Sequence, residues 1–417
     1  MLIRLSPNYS HVLRTTNTMK VLQLCIKPPF PPVDGGTLAM NSITQGLLTA
    51  GCEVRVLAMC SDKHPVLEDR ITSEYRQSTR FEAVHVDLGI HLLDAGVAWL
   101  CGESYHVKRF VNKEFAARLA EVLREEEYDV VHVESIFLSP YVPTIRKHSK
   151  AAVILRAHNV ENQIWQRIAY SERNPFKRSY LKHLSLTLRT YEHEHLNDYD
   201  GIVSITENDA DYFRKAGCRK PVISIPFGIT PCMPDNVTEE ANSLFHLGSM
   251  DWMPNQEGVK WFLDKVWPLV HKQMPQLTLY LAGRKMPDSL MRMEMEGVKV
   301  VGEVSDASGF IASKQINVVP LLSGSGIRVK IIEAMSMGKT VISTTIGAQG
   351  IGCTDGENVL IADTPEQFAA QLQRCVDDPD FCQKIGRNAY DFIAHAYCPE
   401  TLTRRLLDFY EKRLTRE

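Results

Sequence analysis

Short apolar runs rich in Val, Ile and Leu alternate with longer amphipathic stretches along almost the whole chain, and then do so a second time. An apolar run of five to seven residues is too short for a helix core. Set between helical patterns, it reads as a parallel strand covered on both faces. In the first half the expected strands are 20–26, 53–59, 82–88, 129–134, 152–156, 201–205 and 221–225. In the second they are 243–248, 277–282, 298–302, 316–321, 339–345 and 358–362. A helix is expected over Thr37–Ala50, stopped by Gly51. The 417 residues exceed one ordinary core. The reading is therefore α/β, with two doubly wound Rossmann-like domains facing a cleft: 19–230 and 240–396, joined through the Pro-rich stretch 226–243. Residues 397–417 form an amphipathic helix with Leu402, Leu406, Leu407 and Tyr410 on one side, a face suited to packing back on the first domain.

Composition narrows the function. A net charge of −3 leaves no global basic field, so nucleic acid is not an expected partner. No apolar run approaches the ~20 residues that cross a bilayer. The ten cysteines lack C-x-x-C spacing and several lie in apolar runs, as Cys25 does, which fits a reducing, cytoplasmic setting. Residues 1–18 are polar and irregular and are expected to be a disordered extension, with Met19 the favoured start.

Open α/β sheets bind ligands in the crevice beyond the carboxyl ends of their strands, so chemistry should sit in post-strand loops. The first, 27–37, carries four prolines and then Gly35-Gly36, suited either to close approach by an anion at a helix start or to a tight turn of positive φ. No G-x-G-x-x-G is present there. The richest segment is 316–345, where a strand runs into Ser323-Gly324-Ser325-Gly326 and a helix bearing Arg328, Lys330 and Glu333. A cation at a helix start opposes the macrodipole unless an anion is near, which favours a bound phosphate. Lys330 and Glu333 are three apart and could equally form a surface ion pair.

The run K-x-x-E-A-M-x-x-G-K-x-V-I-S-T, with the Gly-Gly loop and the IPFGI hinge, resembles the donor site of glycosyltransferase family four, of GT-B fold, in a bacterial branch. The resemblance extends from Met19 to the end. It implies a retaining, metal-independent transfer of a hexose-type sugar from a nucleotide diphosphate donor to a glycan or lipid-linked acceptor, as in polysaccharide biosynthesis, with no cofactor. By position, Glu333 would bind ribose hydroxyls, Gly35 and Gly36 would lie on the diphosphate or donor sugar, and Gly302, Glu303 and Val304 would border the base. His158 and Asn159 in H-N-x-E would meet the donor sugar or acceptor, and Glu161 would hold that loop.

Two departures stand out. The family's first glutamate is replaced by Ser325, and its G-R cation after the first strand of the second domain is absent from Gly248-Ser249-Met250-Asp251-Trp252. Arg328, with Lys330 or Arg284, is the expected replacement for that positive charge. Gly324, Ser325 and Gly326 would offer backbone donors, and Arg328, Lys330 and His158 form the reacting set.

Other signals read as structural. The D-x-D pairs Asp198/Asp200 and Asp209/Asp211 flank a strand and open a helix, and His193 and His195 point apart on a helix. Trp252, Trp261 and Trp267 are read as packing residues, with Trp252 near the cleft. The basic amphipathic stretch 167–190 is either a solvated face or a peripheral membrane contact. Acceptor loop 89–106 carries no decodable pattern. A nucleotide-sugar epimerase of the same architecture and a silent nucleotide-binding scaffold are the rival readings.

Overall fold

The computed structural model describes residues 18–89, 102–232, 237–324 and 326–414. Most of the 1–18 extension, most of the 89–106 loop and Ser325 lie outside the described residues.

Two parallel sheets form the frame. The first contains β1 (Lys20–Cys25), β2 (Glu53–Cys60), β3 (Glu82–His85), β4 (Val130–Glu134), β5 (Ala152–Ala157), β6 (Gly201–Ser204) and β7 (Val222–Ser224), in spatial order β3-β2-β1-β4-β5-β6-β7. The second contains β8 (Ser243–Leu247), β9 (Thr278–Ala282), β10 (Val298–Gly302), β11 (Ile316–Val319), β12 (Thr340–Ser343) and β13 (Leu360–Ile361), in order β10-β9-β8-β11-β12-β13. Every described pairing within these sheets is parallel. The α/β doubly wound reading therefore holds in both halves. All thirteen expected strands are present, most of them a residue or two shorter than the apolar run that announced them. The ends of such runs continue inward as loops, as in Leu321, fully buried yet outside β11.

The helices needed below are α1 (Gly35–Thr49), α2 (Glu161–Ser171), α3 (Pro175–His195), α4 (Glu207–Lys215), α5 (Met253–Trp261), α6 (Val329–Ser336), α7 (Pro379–Ala396) and α8 (Pro399–Leu414). Helix α1 begins two residues earlier than its pattern suggested. Asp34 caps it by accepting the Thr37 N–H while Thr37 returns a bond to the cap backbone. Gly35 and Gly36 are therefore the first helical residues rather than a turn of positive φ.

Each sheet buries both faces. On one face of the first sheet, the covering layer includes Leu402, Leu406, Phe409 and Tyr410 of α8, so the last helix of the chain lies on the first domain. A further cluster joins Ala39, Ile205 and Phe227 of the first half to Val319, Leu321 and Ile331 of the second. The sheets reverse winding direction between β1 and β4 and between β8 and β11, and loops leaving those strands meet at the seam between the halves.

Candidate functional site

The seam is built by two helix starts. An ideal Cβ on Gly35, first residue of α1, would lie 3.1 Å from Val329 Cγ2, first residue of α6. At the α1 end, Lys27 Nζ holds both oxygens of Asp34 at 2.6 and 2.8 Å and lies beside Gly36. Burial works against the Asp34 carboxylate, but Lys27 and the Thr37 bonds keep it below its ordinary range.

At the α6 end Arg328 is the N-cap residue, one position before the first turn, and is 3% exposed. Its guanidinium lies over the Trp252 ring, 5.6 Å from the centroid, and donates to the Gly326 carbonyl. Burial, reinforced by Arg167, lowers its pKa to about 10. Trp252 is thus a wall of this site rather than core, unlike Trp267, which is buried, and Trp261, which stacks edge-on against Phe368.

Lys330 is not a surface ion-pair partner. Its Nζ donates to Asn255 Oδ1 at 2.6 Å and lies 3.4 Å from His246 Nε2. His246 bonds the Val318 carbonyl through Nδ1 at 2.9 Å, so Nδ1 carries the hydrogen and Nε2 offers a lone pair to Lys330. Burial and the Lys330 charge push His246 down to about 3, which keeps that lone pair bare. Burial first, then Arg328, lowers Lys330 to about 7, with Glu333 opposing. An added Cβ on Gly248 would fall 2.6 Å from Lys330 Nζ. The cation absent from the loop after β8 therefore arrives from helix α6 and sits directly beneath that loop. Arg284 does not join it: the side chain is exposed, its charge acts on Asp251, and its carbonyl accepts the Met250 N–H at 2.9 Å.

Glu333, one turn along α6, is partly covered, and burial raises its pKa against the pull of Lys330. Gly302 ends β10 with φ of 77° and accepts the Gly283 N–H at 2.8 Å. Glu303 beside it is exposed and Val304 half-buried. These three stand at the carboxyl edge of the second sheet without a described side-chain bond to Arg328 or Lys330.

The first half reaches across. Arg167 of α2 donates to the Gly324 carbonyl at 2.7 Å, and Asn159 Oδ1 would lie 2.8 Å from a Cβ on Gly326. Between them an open cleft is lined by Asn159, Gln163, Arg167, Asn208, Asp209 and Gln349. His158 enters from the end of β5, its side chain 15% exposed, with Nε2 2.8 Å from Glu134 Oε2. Glu134 is fully buried. Burial opposes its charge, but His132 and then His158 hold the carboxyl well below the usual range. Glu161 accepts from the Asn159 side chain, and its own N–H goes to Glu192 Oε1 at 2.9 Å. Burial and then the Glu192 charge push Glu161 up to about 7.

The structure thus gathers Gly35, Gly36, Gly248, Gly324, Gly326, Arg328, Lys330, Glu333, His158, Asn159 and Glu161 around one seam. Sequence reading missed Lys27, His246, Asn255, Glu134 and Arg167. His246 and Glu134 sit within β-strands whose apolar neighbours masked them, and Arg167 was read as part of a basic surface. A polar residue inside an apolar strand run was the available signal.

Asp198, Asp200 and Asp211 of the D-x-D pairs are structural, whereas Asp209 lines the cleft. Asp200 accepts the Val153 N–H at 2.8 Å and pairs with Arg146, Asp198 pairs with His195, Asp211 pairs with Arg214, and Asp209 lies in the first turn of α4.

Comparison with known proteins matches this architecture. Residues 34–228 fit the family model described as a glycosyl transferase 4-like domain, and residues 241–378 fit that of glycosyl transferases group 1. The two models together span most of the chain, and the chain belongs to the glycosyltransferases. Over 297 residues, 67% of this chain and 74% of the other, it is 26% identical to an uncharacterized 44.6 kDa protein in the cps region of Klebsiella pneumoniae. The fold is GT-B. The Anabaena protein HepE in complex with UDP superposes with a TM-score of 0.67 at 14% identity, covering 94% of this chain and 100% of that one. Sucrose-phosphate synthase from Thermosynechococcus elongatus gives 0.69 at 14% identity, covering 94% and 98%. Among the described residues no helix is long and apolar enough to cross a membrane.

Proposed function

We propose that this glycosyltransferase moves a hexose from a nucleotide diphosphate donor to a glycan or lipid-linked acceptor, retaining anomeric configuration and using no metal. The observation that carries the reading is the pair Arg328 and Lys330. Two covered cations stand together at a helix start, where the macrodipole disfavours positive charge, and both are pushed toward neutrality. A diphosphate between this helix start and that of α1 would relieve both strains. Charge otherwise supplied by a divalent ion would then come from Arg328, Lys330 and backbone N–H groups. Glu333 is placed to take ribose hydroxyls, and His158 and Asn159 to meet the sugar from the opposite wall. Retention and the choice of a hexose rest on the resemblance to glycosyltransferase family four. The reading makes the enzyme cytoplasmic, working beside the membrane that holds a lipid-linked acceptor. The cps-region relative supports a role in polysaccharide assembly. The UDP and UDP-glucose held by HepE make uridine the first base to try.

Calorimetry with UDP, GDP, ADP, CMP and their sugar conjugates, in chelator and without metal, tests this directly. One diphosphate at ~100 times its dissociation constant should stabilise the fold by about 2.7 kcal/mol. Glu333→Ala should weaken donor binding, while His158→Ala should spare nucleotide affinity and lower turnover. Normal turnover in both variants would reject the assignment, and silence toward every nucleotide would favour a scaffold.

A further inference from the structure

His158 is the end of a buried polar chain that starts in the last helix. Tyr410 of α8, fully buried, places its hydroxyl 2.5 Å from His132 Nδ1. His132 Nε2 lies 3.3 Å from Glu134 Oε1, and Glu134 Oε2 lies 2.8 Å from His158 Nε2. The same Oε1 accepts from Gln23 Nε2 at 2.7 Å, and Gln23 is itself oriented by Thr44, whose hydroxyl donates to its Oε1 at 2.6 Å. Other ionisable groups around the carboxylate are the Cys25 thiol on β1 and the Arg156 guanidinium on β5, both fully buried. Arg156 donates to the carbonyls of Ser204 and Ile225, at 3.2 and 2.5 Å, so it balances charge from a distance and leaves the carboxylate's oxygens to Gln23 and His158.

Burial pushes the Tyr410 phenol well above its ordinary range, so the hydroxyl keeps its proton where it pairs with His132 Nδ1. Glu134 accepts from Gln23 Nε2 at 2.7 Å and faces His158 Nε2 at 2.8 Å, while His132 Nε2 stands 3.3 Å from Oε1 as an ion-pair neighbour without hydrogen-bond geometry. The consequence falls on His158: its Nε2 is committed to the carboxylate, and Nδ1 is left as the ring's acceptor. Among the described residues Nδ1 makes no hydrogen bond.

We propose that Glu134 is a positioning residue that holds His158 in its Nε2–H form with Nδ1 turned to the sugar, and that Tyr410 and His132 carry the C-terminal helix into this arrangement. Without the carboxylate, both tautomers of a partly exposed imidazole are populated, and the wrong one presents a donor where a hydroxyl needs an acceptor. The long return of α8 to the first domain then has a task beyond covering apolar surface: it sets the Tyr410 hydroxyl on His132, the imidazole beside the carboxylate. The effect on turnover rests on the transferase reading given above, whereas the tautomer does not.

The test is nitrogen NMR of the full-length protein labelled at histidine, with the His158 resonances assigned by their loss in His158→Gln. Wild type should show His158 as the Nε2–H form near neutral pH. Glu134→Gln should show the Nδ1–H form appearing, and Tyr410→Phe should show a smaller change in the same direction. With a working donor and acceptor, kcat should fall about 100-fold in Glu134→Gln and three- to tenfold in Tyr410→Phe, with donor affinity within threefold of wild type in both. An unchanged His158 tautomer in Glu134→Gln overturns the proposal. Should Glu134→Gln fail to fold, Tyr410→Phe decides: wild-type tautomer and kcat with only a lowered melting temperature would reduce the chain to packing. A wild-type protein that transfers no sugar but shows these tautomer changes would overturn the transferase reading and leave the positioning role standing.

Discussion

Lys330 shows how much one side chain's meaning depends on what surrounds it. A lysine on a helix three residues before a glutamate is ordinarily a solvated ion pair of small value. Here its Nζ is drawn inward by Asn255 and His246, and burial lowers its pKa from 10.5 to about 7. Between pH about 7 and about 10 the unfolded chain therefore holds a proton that the folded one has lost, and this group's contribution to stability rises with pH across that window. A bound diphosphate reverses the preference and draws the proton back. Calorimetry at pH 8 in buffers of different ionisation enthalpy should show uptake approaching one proton on nucleotide diphosphate binding, and much less at pH 6. Lys330→Met should abolish the uptake and weaken binding by roughly 10- to 100-fold, the scale of a hydrogen bond to a charged group. Binding at pH 8 without uptake would put the diphosphate elsewhere.

Among the elements, α2 and α3 carry the feature that periodicity could not resolve. Their pattern is amphipathic, and Leu181, Leu184 and Leu188 are buried as such a pattern requires. The opposite face is not simply polar: Tyr170, Phe176 and Leu186 are 67%, 86% and 60% exposed among Arg173, Lys177, Arg178, Lys182 and Arg189. Aromatic and aliphatic tips set among cations suit the headgroup region of an anionic bilayer, where each basic residue contributes about 1 kcal/mol. Co-sedimentation should show binding to vesicles rich in phosphatidylglycerol and little to pure phosphatidylcholine. Phe176→Glu with Leu186→Glu should lower that partitioning about tenfold without changing nucleotide affinity. Equal binding to both vesicle types, or none, would return this face to solvent.

At the scale of the molecule, the candidate site lies where α1 meets α6. A Cβ on Gly35 would already lie 3.1 Å from Val329 Cγ2, so a β-branched residue there crowds the seam between the halves. Gly35→Val should reduce turnover by roughly 10- to 100-fold, the size expected when reacting groups are held an ångström out of place. Small-angle scattering at saturating nucleotide should show a larger radius of gyration than wild type. An unchanged radius with normal turnover would mean that the seam yields without consequence.

The alternation of apolar and amphipathic segments sufficed for thirteen strands and two domains, because strand burial and helix periodicity are local consequences of side-chain order. It also marked Arg328, whose charge conflicts with its own helix start. What the linear order could not contain was the partner of each polar group. Tertiary structure alone placed Lys330 under Gly248, Arg167 against Gly324, and Tyr410 at the head of a chain ending on His158, since these contacts join residues from 82 to 278 positions apart or cross the seam between domains. Such pairings are set by how sheets stack and helices return, and the hydrogen-bonding needs of buried polar atoms select among them only after the chain has closed.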